Sequence, residues 1–467
     1  MKVVQRLDRL FNPSSLAVIG ASKYELSGGG FLLRSLIENG FKGKLYPVNP
    51  KETEIMGLRS YPSILDIPGE VDLAVVAVPA RTVPQVMTEC GQKGVKFAVV
   101  HSVGFSELGS QGKELENELL QIAQQSNIRV VGPNCMGLYC PQVGLNTIIP
   151  RSNLENEAGP VAFLGQSGWA CENFIHAGYE RGLRFSKVVS IGNQIDLTIE
   201  DFLEYLADDE ETKVIACYIE GIKRGREFLR LAKQISKRKP IIVWKAGRTE
   251  AGGRAAAAHT GSLAGSGIVF DAALRQAGIS RAQNLEELID LAIGFTCPVM
   301  PRGNRLGVLV ESGGLAVASA DICQSLGLNM PTLSMETQKE LAETLQGTIP
   351  ALPNLQNPVD LVWVPFEQSA QVYLRCSRII LKDVDMALVL TYVPLDEHFA
   401  KQLVSLRDEQ GKPIIIIPGQ PTEERRGMSL LTRNGIPTFT IPERALKVLS
   451  AMVQYSSYLC QSDGQGQ

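Results

Sequence analysis

A single histidine in a segment of very small residues is the feature of this sequence that most directly suggests chemistry. Glycines at 252 and 253 precede His259, Gly261 and Gly265 follow it, and four alanines stand directly before it. Glycine and other small residues let a backbone adopt unusual conformations and approach a ligand closely. Imidazole often acts as an acid, base or nucleophile near neutral pH. The segment therefore predicts a mobile loop that presents one imidazole; the alternative is a flexible surface loop whose histidine has no role.

Glu220 is the candidate partner of this histidine. It follows a predicted strand at Lys213–Ile219, and the next predicted strand, Pro240–Lys245, leads into the histidine segment. Ligands collect at the carboxyl ends of parallel strands. A carboxylate hydrogen-bonded to imidazole fixes its tautomer and raises its basicity, which a histidine nucleophile needs. The alternative for Glu220 is a solvated surface glutamate.

Two turns of small residues have the pattern of a phosphate site. Gln166–Gly168 follows the predicted strand Pro160–Leu164, and Ser312–Gly314 follows the predicted strand Arg305–Val310. A helix is predicted after each turn. Because the first turn of a helix exposes backbone N–H donors, both turns are suited to an anion such as phosphate.

The elements that must position these residues alternate between strands and helices, which indicates an α/β protein. Residues 1–150 predict a doubly wound domain with its ligand at the carboxyl ends of the strands. Residues 151–300 and 301–460 each predict a further layer of this kind, and the polar tail 461–467 is expected to be disordered. The strands predicted near the end of the chain are Met386–Leu390, Pro413–Ile417 and Pro437–Ile441.

The glycine turn after the first strand does not fit a nicotinamide dinucleotide. Seven residues separate Gly20 from the next glycine, so the G-x-G-x-x-G spacing is absent. The second predicted strand ends in Tyr46–Pro50, which has no acidic residue to bind a ribose hydroxyl. Another phosphate-bearing ligand remains open, because a glycine turn before a helix forms an anion site. The alternative is that these glycines only form tight turns.

Composition and charge restrict the classes of function. The 467 residues include 46 Lys and Arg and 49 Asp and Glu, a formal net charge of −3, which gives no electrostatic case for binding nucleic acid or an anionic membrane. The nine cysteines show neither CxxC nor metal-ligand spacing and are expected to be reduced thiols. The sequence shows neither a signal peptide nor an apolar run of transmembrane length. We therefore expect a cytoplasmic protein without a metal site of its own.

Several motifs, taken in order, resemble the α subunit of the NDP-forming acyl-CoA synthetases in the succinyl-CoA synthetase superfamily. The resemblance extends from about residue 8 to about residue 455, and the combination of motifs is specific although no single motif is. The motifs are Leu16–Ser22, Tyr46–Pro50, Val131–Gly137, Gln166–Gly168, Tyr218–Gly221 and His259–Gly265. The resemblance implies a Rossmann-like CoA-binding domain followed by two flavodoxin-like ligase domains.

The resemblance also implies roles for individual residues. His259 would be phosphorylated during turnover, and Glu220 would support it. The phosphate-binding residues would be Gln166, Ser167, Gly168, Ser312, Gly313, Gly314 and Gly261. The CoA-binding residues would be Gly20, Ala21, Ser22, Gly28, Gly29, Pro47, Asn49, Pro50, Val78, Pro79, Ser102, Asn134 and Cys135.

The implied reaction converts acyl-CoA, phosphate and ADP to acid, CoA and ATP through an acyl phosphate and a phosphohistidine on a swinging loop. No stretch of the sequence has the ATP-grasp pattern of lysine-bearing strands and paired acids, so ADP, ATP and Mg²⁺ would bind a separate β subunit in an α2β2 heterotetramer. One alternative is a non-catalytic CoA-binding sensor or scaffold, and another is a CoA-transferring enzyme without nucleotide. The pair of His259 and Glu220 argues against both, because neither needs a phosphoryl carrier.

Overall fold

A computed structural model of the protein describes residues 3–25, 27–148, 154, 156–254, 267–349 and 355–464. Its strands and helices confirm the predicted α/β class. The chain forms two compact units: Met1–His176 with Arg184–Leu285, and Ala177–Leu183 with Glu286–Gln467. The first two predicted domains therefore lie mostly in one unit. None of the helices in these described ranges is long and apolar enough to cross a bilayer.

The strands are β1 Ser15–Ile19, β2 Lys44–Val48, β3 Glu54–Ile55, β4 Leu58–Arg59, β5 Leu73–Val76, β6 Phe97–Val100, β7 Arg129–Val131, β8 Gly137–Cys140, β9 Leu145–Asn146, β10 Ala158–Gly165, β11 Phe185–Ser190, β12 Val214–Ile219, β13 Ile241–Lys245, β14 Ser280–Ala282, β15 Leu306–Val310, β16 Val359–Asp360, β17 Met386–Thr391 and β18 Ile414–Pro418. The helices are α1 Val3–Phe11, α2 Gly28–Glu38, α3 Val83–Lys93, α4 Ser110–Gln125, α5 Gly168–Glu180, α6 Ile199–Asp208, α7 Gly225–Ile235, α8 Gly267–Gln276, α9 Leu285–Phe295, α10 Gly313–Ser325, α11 Met335–Leu345, α12 Phe366–Ile380, α13 Glu397–Gln410, α14 Arg425–Arg433 and α15 Pro442–Gly464.

The first sheet contains five parallel strands in the order β2-β1-β5-β6-β7. β1, β5 and β6 are buried at every position. Parallel strands covered on both faces are continuous apolar runs, and this is why the sequence predicted them. The carboxyl ends of all five strands lie along one edge, where all of the predicted CoA-binding residues except Pro47 follow them.

The second sheet has seven strands in the order β14-β13-β12-β10-β11-β8-β9. Neighbours from β14 to β11 are parallel, whereas β8 pairs antiparallel with both β11 and β9. β8 and β9 belong to the range 1–150 that was assigned to the first domain. The second sheet thus begins before the predicted boundary at residue 150.

The third sheet lies in the second unit and contains four parallel strands in the order β16-β15-β17-β18. The prediction of a strand at Pro437–Ile441 is wrong, because within this run only Thr438 forms a β-bridge, and its partner is Ile416. Proline at 437 donates no hydrogen bond to a ladder, and Pro442 starts α15 directly afterwards. α15 continues to Gly464, into the tail that was expected to be disordered.

Candidate functional site

The glycine turn after β1 is closed by the start of α2. Gly20 has a φ of +89°, and a Cβ there would lie 2.5 Å from the carbonyl oxygen of Ala77. A Cβ on Gly29 would lie 1.9 Å from the carbonyl oxygen of Gly20. The hydroxyl of Ser27 caps α2 by accepting a hydrogen bond from the Gly30 amide at 3.2 Å. Only glycine permits this approach of a helix N-terminus to a strand end, which suits a phosphate-bearing ligand.

Two groups of predicted CoA-binding residues are brought together along the same edge. Asn49 Nδ2 donates to the carbonyl oxygen of Ala21 at 2.7 Å. Ser102 Oγ donates to the carbonyl oxygen of Val78 at 2.5 Å, and the Asn134 amide donates to the carbonyl oxygen of Ser102 at 3.0 Å. The first bond joins the loop after β1 to the loop after β2, and the other two join the loops after β5, β6 and β7 to one another.

The other predicted CoA-binding residues take varied positions. Pro47 lies inside β2, in register with Val18, and not beyond the strand end. A Cβ on Gly28 would meet no atom within 4 Å, so this position borders open space. The remaining ones lie in the loops after β1, β2 and β5: Ser22, Pro50 and Pro79.

Two buried titratable groups in this region are neutral near pH 7. Burial raises the pKa of the Cys135 thiol to about 12, and its Sγ lies 3.4 Å from the carbonyl oxygen of Val100. Burial lowers the pKa of His101 to about 4, and its Nε2 has no hydrogen-bond partner among the described residues. Cys135 is therefore not poised as a thiolate nucleophile.

Gln166 holds the backbone beside Glu220 in place. Its Oε1 accepts hydrogen bonds from the amides of Glu220 at 2.6 Å and Gly221 at 2.9 Å. Its Nε2 donates to the carbonyl oxygen of Gly221 at 2.6 Å. The Gln166 side chain is buried, and its amide spans the gap between the turn after β10 and the end of β12. The sequence predicted Gln166 as a phosphate ligand, but these bonds place its side chain against the backbone of the carboxylate candidate.

Glu220 itself is buried, at 7% relative exposure. Its Oε1 accepts a hydrogen bond from the Tyr218 hydroxyl at 3.2 Å, and burial together with the charge of Glu220 raises the pKa of Tyr218. Lys245 Nζ donates to the carbonyl oxygen of Glu220 at 2.8 Å and also to that of Ala246. Burial lowers the pKa of Lys245, against the attraction of Glu220. Sequence reasoning assigned no role to Tyr218 or Lys245. Tyr218 lies on β12, the strand that leads into Glu220, and Lys245 lies on the neighbouring strand β13.

A cavity of about 170 Å³ lies beside Glu220, and its lining includes Lys245, Arg248 and Gly267. His259 and Gly261 lie outside the described residues. The described chain stops at Arg254 and resumes at Gly267, which is part of the cavity wall. Within the described ranges, no group of three or more His, Cys, Asp or Glu residues is placed to hold a metal ion.

The loop after β7 reaches the first predicted phosphate turn. The Met136 amide donates to Ser190 Oγ at 3.0 Å, and a Cβ on Gly168 would lie 2.6 Å from Met136 Cγ. A Cβ on Gly192 would lie 2.6 Å from the carbonyl oxygen of Asn134. The loop after β7, which carries the predicted CoA-binding residues Asn134 and Cys135, is thus in direct contact with the start of α5.

Asn193 connects the loop after β11 to Ser106, Glu107 and Glu116, and it was not identified from the sequence, because β11 before it was not predicted. Its Nδ2 donates to Glu107 Oε2 at 2.9 Å, to Glu116 Oε2 at 3.0 Å and to Ser106 Oγ at 3.2 Å. Although burial opposes their ionisation, hydrogen bonds that include those from Asn193 lower the pKa of both glutamates. The Oδ1 of Asn193 lies 3.4 Å from the Nδ2 of Asn134.

The second predicted phosphate turn is open and bordered by acids. Ser312 makes no side-chain cap to α10. A Cβ on Gly313 would lie 3.3 Å from Asp360 Oδ2, which is the nearest atom to that position. Glu311 Oε1 accepts a hydrogen bond from the Tyr373 hydroxyl at 2.6 Å, and burial raises the pKa of Glu311. Two carboxyl groups therefore stand beside backbone donors that were predicted to bind phosphate.

Two family models match this chain. The one described as a CoA binding domain matches residues 14–141, and the one described as a succinyl-CoA ligase like flavodoxin domain matches residues 158–295. The first covers the glycine turn and the loops that carry the predicted CoA-binding residues. The second covers Gln166, Glu220 and His259.

Relatives with assigned names match almost the whole chain. The α subunit of ADP-forming acetate–CoA ligase II of Pyrococcus furiosus is 39% identical over 458 residues, which cover 96% of this chain and 97% of that one. ADP-forming acetate–CoA ligase I of Archaeoglobus fulgidus is 40% identical over 454 residues, which cover 96% of this chain and 64% of that protein. The solved structure of the dinucleotide-forming acetyl-coenzyme A synthetase 1 of Ca. Korarchaeum cryptofilum in complex with phosphate and ADP is 38% identical, with a TM-score of 0.86 and 98% of each chain covered. The resemblance inferred from the motifs is confirmed: this chain belongs to the family of ADP-forming acetate–CoA ligase α subunits.

Proposed function

We propose that this chain carries out acyl transfer and phosphoryl carriage as the α subunit of an ADP-forming acyl-CoA synthetase, on a small acyl-CoA such as acetyl-CoA. The net reaction is acyl-CoA, phosphate and ADP to acid, CoA and ATP. The buried Glu220, held by Gln166 at the wall of the cavity where the described chain resumes after His259, is the observation in this chain that most supports the proposal. The named relatives, which are acetate–CoA ligases, support the acyl class.

In the first step, a phosphate oxygen attacks the thioester carbonyl carbon. The carbon–sulfur bond breaks, CoA leaves as the thiol after taking a proton, and an acyl phosphate forms. The contact between Met136 and Gly168 supports this step, because it joins the loop beside the predicted CoA edge to the turn predicted to hold phosphate. Such positioning brings the two reactants together without further movement of the loop.

In the second step, an imidazole nitrogen of His259 attacks the phosphorus of the acyl phosphate. The bond between phosphorus and the acyl oxygen breaks, the acid leaves as its carboxylate, and His259 is phosphorylated. Glu220 accepts the N–H of the other ring nitrogen, which fixes the tautomer and stabilises the cation that develops. Gln166 acts as a positioning residue, because its three hydrogen bonds fix the backbone that carries Glu220.

In the third step, the terminal phosphate oxygen of ADP attacks the phosphohistidine, and the phosphorus–nitrogen bond breaks to give ATP. We place the nucleotide and its Mg²⁺ on an ATP-grasp β subunit, with an α2β2 assembly. The ADP-forming relative of Archaeoglobus is longer than this chain, which covers 64% of it, and this agrees with a further part of the enzyme. This chain contributes the carrier histidine to this step.

The test is to mix the chain with a candidate β subunit, acetyl-CoA and radiolabelled phosphate, and to measure acid-labile label on the chain. His259→Asn is expected to abolish the label and ATP formation. The matched control His398→Asn changes an exposed histidine on α13 and should retain both. Label that persists in His259→Asn would contradict the assigned carrier. ATP formation by this chain alone would contradict the separate nucleotide subunit.

A further inference from the structure

A second cavity, of about 310 Å³, lies entirely within the second unit, beyond β18. Three arginines and three threonines account for most of its lining: Arg181, Arg425, Arg444, Thr422, Thr438 and Thr440. Glu180 is the only carboxylate on the wall formed by described residues. The lining residues alone therefore carry three positive charges and one negative charge, and none of the described residues predicted to bind CoA or phosphate is part of this lining.

Two of the arginines are oriented from behind by a buried acid. Arg444 donates from Nε and Nη2 to Asp290 at 2.7 Å each, and its Nη2 also donates to Glu286 Oε2 at 2.8 Å, which leaves Nη1 without a hydrogen bond to a described residue. Arg181 Nη2 donates to Asp290 Oδ1 at 2.5 Å. The hydrogen bonds to Asp290 raise the pKa of Arg444, whereas burial lowers that of Arg181. Arg181 Nη1 lies 3.8 Å from Glu286 Oε2 and makes no hydrogen bond to any described residue. One buried donor of this pair, Arg181 Nη1, therefore lacks an acceptor among the described residues.

The third arginine stands at a helix start. Arg425 is the first residue of α14, is exposed, and forms no ion pair within the described part of the chain. The preceding Glu424 gives α14 no side-chain cap. The cavity also borders the first turn of α15, through Thr440 and Arg444. Two helix N-termini with partial positive charge thus meet a free guanidinium.

The threonines add hydroxyl groups at the rim. Thr438 is buried and its hydroxyl is engaged with Met428 and Thr432. Thr422 and Thr440 are exposed, and neither hydroxyl is hydrogen-bonded to a described residue. Guanidinium forks, hydroxyl groups and helix N-termini are the donors that proteins use to bind phosphate oxygens.

We propose that this cavity binds a small phosphate-bearing molecule, whose phosphate oxygens are held by Arg425 and Arg444 and by the hydroxyls of the rim. Its volume is at the lower end of the range of about 300–1,000 Å³ for ligand pockets, which fits a phosphate monoester. The cavity lies beyond the end of β18, two strands from β15, and thus about 10 Å across the sheet from the strand that leads into Ser312. This binding site is distinct from the site of the proposed reaction, and the proposal that it binds phosphate does not depend on that reaction.

The test measures binding to the isolated chain without acyl-CoA or a partner subunit. Inorganic phosphate and AMP are titrated separately by calorimetry, so that a free anion and an organic phosphate are distinguished. Arg425→Glu is compared with Arg426→Glu, which changes the neighbouring exposed arginine that does not line the cavity. We expect Arg425→Glu to weaken one binding site by about tenfold or more, and Arg426→Glu to change it by less than about twofold.

Thr440→Val is the second variant, and it should weaken the same site by about threefold to tenfold without disturbing the arginine pair. His259→Asn should leave this site intact, so a failed carrier assignment would not affect the result. Identical titrations for Arg425→Glu, Arg426→Glu and the unmodified chain would overturn the proposal. So would the absence of binding of both probes.

Discussion

The turns Gln166–Gly168 and Ser312–Gly314 have almost the same sequence pattern but different surroundings. The first is clamped, since the Gln166 amide makes three hydrogen bonds to the backbone at the end of β12. The second has no such clamp, and Gly313 and Gly314 are exposed. The pattern of a strand, a Ser-Gly turn and a helix therefore specifies a backbone conformation. The neighbouring loops determine which contacts the side chains of that turn make.

The acids beside the two turns also differ. Glu220 is fixed by the first turn itself and is buried against Tyr218. Asp360, at the end of β16, lies close to Gly313, because its Oδ2 would be 3.3 Å from a Cβ there. We infer that Glu220 takes part in the proposed reaction, whereas Asp360 only adds negative charge near an exposed turn.

The largest expected difference is in the rate of histidine phosphorylation. Glu220→Gln should reduce the rate by about 100-fold or more, because the amide cannot stabilise a developing imidazolium. Asp360→Asn should change it by less than about threefold and should lower the KM for phosphate, because it removes a negative charge beside the second turn. Rapid-quench measurement of labelled chain tests both variants. Similar losses in the two would remove the distinction between the turns.

The next difference concerns the free energy of unfolding. Gln166→Leu should lower it by about 2–4 kcal/mol, because the amides of Glu220 and Gly221 would be left buried without an acceptor. Ser312→Ala should lower it by less than about 0.5 kcal/mol, since its hydroxyl makes no cap. Denaturant titrations followed by circular dichroism measure both. A stable Gln166→Leu variant would show that the clamp is dispensable.

Alanine at the two turn glycines should act in opposite directions. Gly168→Ala would place a Cβ 2.6 Å from Met136 Cγ, so the side chain must move, and we expect a loss of about 1 kcal/mol. Gly314→Ala would meet only Ser312 Oγ at 4.0 Å and should stabilise α10 by about 0.5–1 kcal/mol. Thermal unfolding of the two variants provides the comparison. Equal shifts would contradict the packing difference.

The smallest expected effect is a pH dependence confined to the second turn. Burial raises the pKa of Glu311 above its ordinary value of 4.5, so the folded protein holds this proton more tightly than the unfolded chain. The contribution of protonated Glu311 to the free energy of unfolding is therefore complete below pH 4.5. It is lost as the pH rises through the pKa of Glu311 in the folded protein. Glu311→Gln should flatten that part of the stability profile. Tyr373→Phe should extend it to higher pH, because the hydrogen bond from Tyr373 lowers this pKa.

The sequence predicted most strands because buried parallel strands are short apolar runs between glycine turns. It did not predict β8 and β11, which pair with each other across a long stretch of chain, nor the short strands β3, β4, β9, β14 and β16. The run Pro437–Ile441 looked like a strand but lies against the start of α15. For the candidate site, sequence and resemblance predicted roles for Glu220 and the turn before α5, and these remain predictions. They did not show that the Gln166 amide faces the backbone, because its orientation follows from the adjacent end of β12.

The most direct test of the central claim, that Gln166 acts through Glu220, is a double-mutant cycle on histidine phosphorylation. Rates are measured by rapid quench for the unmodified chain, Gln166→Leu, Glu220→Gln and the double variant, each with the partner subunit, acetyl-CoA and labelled phosphate. The account predicts that the double variant is within about twofold of Glu220→Gln alone, because the clamp has no further target once the carboxylate is gone. A rate lowered by the product of the two single losses would contradict it.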